Sequence, residues 1–215
     1  MSTINISTWH RLLIAAAVLL FAAQFVTALI PTDFEVLGAV TWVEQYRVFL
    51  QVSNELRLFA ALTLAAALVT WHGSAPTSAR RAIGFSALGL AVVVELLMVI
   101  AEGRLAYPIP GLDLDDTTAA LMIAMSYGAS HAANILFAVA ALALMLDPRA
   151  ATGAWFSVAS ILVAGVQIVA SFPWMLSAGL RVVAAFALLG WFALIASASR
   201  RVATGPSQRR DTRPT

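Results

Sequence analysis

Two stretches of this chain, residues 117–146 and 150–180, contain no Asp, Glu, Lys or Arg, and residues 12–46 are charged only at Asp33, Glu35 and Glu44. A helix needs about 20 apolar residues to cross a bilayer. In lipid every backbone polar group has to be satisfied internally, so such runs fold as helices. They lack the two-residue alternation of a membrane β-barrel. Of the 215 residues 61% are apolar and 11% charged, against about 25% charge in a soluble domain. The expected fold class is all-α, a polytopic membrane helix bundle of about six transmembrane helices in the lipid bilayer.

The spans are expected at 12–30, 50–71, 82–101, 120–146, 155–172 and 178–199, with residues 1–199 forming one bundle. Residues 200–215 are a polar, Arg-rich tail expected to be disordered. The first span reads as a retained anchor rather than a signal peptide, because its flank is weakly basic and its apolar stretch long. Residues 32–51 read as a loop and then an interfacial helix, the second span starting between Arg47 and Gln51.

Arginine supplies every basic residue and fixes the expected orientation. With six spans, Arg11, Arg80, Arg81, Arg149 and the tail arginines share one side, facing Arg47, Arg57, Arg104 and Arg181 on the other. The positive-inside rule puts both termini in the cytosol. Trp9, Trp71 and Trp155 fall at the inner boundary, where an aromatic belt is expected. The pI near 9.7 reflects these basic edges, and no nucleic-acid partner is expected.

Several chemistries are excluded. There is no cysteine, hence no disulfide, thiolate ligand or cysteine nucleophile. There is no lysine, hence no Schiff base and no phosphate-binding loop of the Walker type. Motifs for intramembrane proteolysis, the dinucleotide fingerprint and the zinc helix are absent. No cofactor and no metal are expected. The cluster Asp113, Asp115 and Asp116 lacks the Gly and distal Glu of a calcium loop and reads as a solvated acidic loop.

Intramembrane polar residues are costly and mark bundle interiors or wet cavities. Counting about 1.5 Å per residue from the inner end of each span, Gln24, Glu55, Arg57, Glu95, His131, Asn134 and Gln167 all lie roughly 18–24 Å in. Arg181 lies further out. On the fourth span Tyr127, His131 and Asn134 form one stripe with Ser130 beside them. On the second, Glu44, Arg47, Gln51 and Glu55 form a seam expected to run into the bundle. Glu95 and Glu102, seven apart, share a face of the third. The candidate ligand, ion or proton site is therefore Gln24, Glu55, Arg57, Glu95, Tyr127, His131, Asn134, Gln167 and Arg181. Mutual pairing of these groups as interhelical hydrogen bonds is the competing account.

Leu56–Leu64 (LRLFAALTL) resembles Leu180–Leu188 (LRVVAAFAL), and Gln24 and Gln167 precede them at matching depth. Repeated two-helix hairpins would explain this, an arrangement transporters use. The six short spans, the long first outer loop, the SYGASHAAN stretch in span four and the Arg-rich tail resemble a group of uncharacterised six-span bacterial membrane proteins filed as domains of unknown function. The resemblance implies a bacterial inner-membrane location and carries no catalytic residues. Three functions compete. A transporter or small-molecule or ion binder requires a water-accessible cavity. A membrane-embedded cyclase or isomerase acting on a lipophilic substrate requires Glu55 and Glu95 in a closed apolar pocket. A structural or regulatory subunit requires a dry bundle and an exposed small-residue face, such as Ala129 and Ala133, for homo- or hetero-oligomer contacts. The first is preferred, leaving catalysis unassigned.

Overall fold

A computed structural model of the chain describes residues 6–32, 34–73, 78–147 and 154–203. The described residues are almost entirely helical: α1 (Ile6–Ala28), a four-residue α2 (Phe34–Leu37), α3 (Ala39–His72), α4 (Ala79–Ala106), α5 (Asp116–Met145), α6 (Ala154–Ala170) and α7 (Ala178–Ala203), with a 3₁₀ turn at Pro173–Met175. The all-α bundle is as expected. Stretches within α1, α3, α4, α5 and α7 are long and apolar enough to cross a membrane, which supports a multi-pass membrane protein. The apolar α6 is shorter, 17 residues or about 26 Å of helix.

Boundaries follow local chemistry. Asp115 and Ser78 cap α5 and α4, accepting hydrogen bonds from the Thr118 and Arg81 amides. The Thr118 amide, hydrogen-bonded to the Asp115 carboxylate, holds that group below its ordinary pKa. Asp116 accepts from the Val40 amide at 2.8 Å. Both carboxylates are exposed, yet they fasten helix starts, so the acidic loop is more than a solvated run.

The second span differs from expectation. α3 runs unbroken for 34 residues, about 51 Å, so its first turns extend beyond an apolar core of about 30 Å. The expected interfacial helix is the start of α3 itself. The break comes earlier, at Gly38, whose φ of 83° suits a residue without a Cβ. α7 continues through Arg200 and Arg201 to Ala203; the rest of the expected tail, 204–215, lies outside the described residues.

The helices pack in a closed ring: α1 against α3, α3 against α4, α4 against α5, α5 against α6, α6 against α7, and α7 back against α1. Chain order and spatial order thus coincide, as consecutive hairpins require. One half of the ring is filled by an apolar core that includes Leu13, Leu64, Leu88, Phe137, Leu144, Trp191 and Phe192. Trp9 and Trp71 belong to this core and stack at 4.8 Å. Both rings are buried within the bundle, whereas Trp155, the third tryptophan expected at the inner boundary, is 87% exposed. At the opposite end a second apolar cluster, with Ile30, Trp42, Val43, Leu50, Leu105 and Ile123, closes over the start of α3 and the end of α4. Trp42 donates from Nε1 to the Pro31 carbonyl at 2.9 Å, tying this cap to the end of α1.

Candidate functional site

Between the two apolar clusters lies a cavity of about 100 Å³, room for several waters or a ligand of a few heavy atoms. It sits where α1, α4 and α6 end and α3, α5 and α7 begin. Of the candidate residues, Gln24, Arg57, Glu95, Tyr127, Asn134 and Arg181 line it. Thr27, Ser126, Ser130 and Glu102 line it too, although they stood outside the candidate set. Glu102 was legible: it lies seven residues after Glu95, two turns along one helix face.

Its electrostatic centre is a buried triad. Arg57 donates from Nη1 to Glu95 Oε2 at 2.8 Å, and its Nε lies 3.6 Å from Glu102 Oε2. Nη2 donates to the Thr27 hydroxyl at 3.3 Å, which shares a 2.7 Å hydrogen bond with Ser53. All three charged residues are at most 5% exposed. The two carboxylates meet one guanidinium from α4 because their spacing places both on its inward face. Glu95 takes the short bond; Glu102 Oε2 is buried with no hydrogen-bond partner.

Much of the remaining polar layer satisfies helix ends. An α-helix leaves its last four carbonyls without intrahelical partners, and α1, α4 and α6 all end on this side. Arg181 of α7 donates to the carbonyls of Thr27, Ala28 and Ile30 at the end of α1. Gln51 of α3 donates to Ala106 at the end of α4. Asn134 of α5 donates to Ala170 at the end of α6, and His131 donates from Nδ1 to Ser171 at 2.7 Å. In each case the second helix of one hairpin caps the first helix of the next, around the ring and back to the start. The carbonyl partner fixes the His131 tautomer with its proton on Nδ1, and the ring packs against Phe172 and Trp174.

Three candidates do not line the cavity. His131 is held at the α6 terminus, and Gln167 donates to the Ala184 carbonyl from a fully buried position. Glu55 is exposed, where it accepts a 2.6 Å hydrogen bond from the Tyr107 hydroxyl. The seam of Glu44, Arg47, Gln51 and Glu55 therefore does not run into the bundle. Periodicity groups these residues on one face but does not say which way it turns, and α3 turns Leu50, Ser53, Asn54 and Arg57 inward instead. This separates Glu55 from Glu95, so the carboxylate pair expected of a buried cyclase or isomerase site does not form. Ala133, offered as an exposed oligomer face, is 2% exposed within the bundle's own core.

Arg181 also borders a second, more open hollow, formed with Pro31, Thr32, Leu176, Ser177 and Ala178 between the end of α1 and the start of α7. Ala28, Ile30 and Arg181 form walls of both spaces. One side-chain layer therefore stands between the buried cavity and this hollow. No known family model, curated protein or solved structure shows a significant match to this chain.

Proposed function

We propose that this protein binds a small molecule or ion in the cavity between its apolar clusters and moves it across, or senses it at, a bacterial inner membrane. In this reading α6 completes a sixth crossing, both termini are cytosolic, and the cavity lies in the outer half. One observation carries the reading: the buried triad of Arg57, Glu95 and Glu102 borders a hollow that the bundle leaves unfilled, and Arg57 Nε and Glu102 Oε2 have no hydrogen-bond partner there. Pairing between Arg57 and Glu95 in a dry interior would have favoured a purely structural role; the interior is not filled. The hollow beside Arg181 supplies an approach, and the apolar core in the opposite half closes the other direction.

The absence of native cysteine makes the test direct. Single cysteines at Ser126 and Ser130 are expected to react with a membrane-impermeant maleimide added from the periplasmic side of spheroplasts. Cysteines at Leu88 and Ala141, in the apolar core, are expected to stay unreactive. Protection of both serine positions from impermeant reagent on that side sinks the proposal.

A further inference from the structure

We infer that the ligand of this cavity is a small zwitterion, an ammonium and a carboxylate separated by one or two carbons; the inference rests on the binding role proposed above. Four charged side chains line the cavity: Arg57, Arg181, Glu95 and Glu102. They sum to zero. Arg57 and Glu95 satisfy each other at 2.8 Å. Arg57 Nε, Glu102 Oε2 and Arg181 Nε each lack a hydrogen-bond partner; the first two lie 3.6 Å apart, so Arg57 with its two carboxylates forms a triad with one negative charge in excess. Glu102 is 5% exposed, and its contact with Arg57 at 3.6 Å is with a cation already engaged by another carboxylate. Arg181 is hydrogen-bonded only to backbone carbonyls, and no carboxylate among the described residues pairs with it.

The helices that carry Glu102 and Arg181 stand opposite one another in the ring. In the order α1, α3, α4, α5, α6, α7, the helices carrying Glu102 and Arg181 are separated by two helices on either side. The triad's excess negative charge and the Arg181 cation thus stand on opposite walls of one small space. A lone cation would answer Glu102 but leave a net positive charge in a low-dielectric site, and a lone anion would do the reverse; uncompensated charge there is expensive. A neutral ligand with separated charges answers both groups and leaves the sum at zero. Trp42 and Tyr127 line the same cavity and offer aromatic surface to an ammonium group. The modest volume restricts the ligand to the size of the smallest amino acids and betaines.

The test is calorimetric titration of the purified full-length protein in nanodiscs with glycine, alanine and glycine betaine, beside choline and acetate as single-charge probes. At least one zwitterion is expected to saturate, with choline and acetate at least tenfold weaker. Glu102→Gln and Arg181→Gln are each expected to weaken zwitterion binding tenfold or more, while Arg181→Lys keeps it within a few-fold. All three variants are compared at unchanged elution volume and circular dichroism. Choline or acetate binding as tightly as every zwitterion overturns the inference but leaves the binding role standing. So does failure of all three zwitterions when a cysteine at Ser130 still labels. Failure of both titration and labelling removes the binding role as well.

Discussion

Arg57 Nη1 lies 2.8 Å from Glu95 Oε2, with both side chains about 4% exposed. A buried pair of this kind is weak evidence for stability in itself, because desolvation offsets much of the attraction, but removing one partner strands the other. Arg57→Leu is therefore expected to destabilise the bundle by about 3–5 kcal/mol, leaving Glu95 and Glu102 together without a cation. Replacing Arg57, Glu95 and Glu102 all by apolar residues is expected to recover most of that loss. Chemical unfolding in detergent checks both, and a triple variant no more stable than the single one contradicts the account.

The polar caps at the ends of α1, α4 and α6 predict a graded series. Interhelical hydrogen bonds in membrane proteins contribute about 0.6 kcal/mol on average and up to about 1.7. Gln51→Leu and Asn134→Leu should each cost about that much. Arg181→Leu, which removes donors to three carbonyls, should cost the most. Thermal unfolding of the three variants ranks them, and an Arg181 variant as stable as the parent would contradict this role.

How much of this was legible in the sequence depends on what periodicity can carry. The helices, their number and the polar layer follow from apolar runs and from residues too costly to place in lipid. The buried face of α4 was readable because Glu95 and Glu102 share it by spacing alone. The face of α3 was not: Glu55 and Arg57 are two residues apart and point differently, and only packing against α1 and α4 decides which turns inward. The roles of His131, Asn134 and Arg181 were hidden for another reason. Their partners are backbone carbonyls of neighbouring helices, and a carbonyl leaves no mark in the side-chain sequence. A count of the helix ends gathered on one side of the bundle would have asked for such donors without naming them.

The contact between α4 and α5 depends on Gly84. A Cβ at that position would lie 2.7 Å from Leu144 Cγ and 2.8 Å from its Cδ2, closer than packed carbons tolerate. Gly84→Ala should destabilise the bundle by about 1–3 kcal/mol through overpacking. Adding Leu144→Ala makes room for the methyl, so the double variant should fall short of the sum of the two single losses. Additive losses in thermal unfolding would contradict the contact.

Tyr107, outside the spanning helices, gives a pH signature. Its hydroxyl donates to the Glu55 carboxylate at 2.6 Å, and that bond, which only the protonated phenol can make, raises the Tyr107 pKa above its ordinary value. A raised folded-state value means that the folded chain holds this proton more tightly than the unfolded one. The contribution is therefore complete below the ordinary tyrosine value of about 10 and is lost as pH rises through the folded value. Tyr107→Phe lacks it at every pH. The stability difference between parent and variant is expected to be constant at neutral pH and to shrink above about pH 10. Thermal unfolding across that range measures it, and a difference that persists unchanged into strong alkali would show that Tyr107 and Glu55 are not coupled.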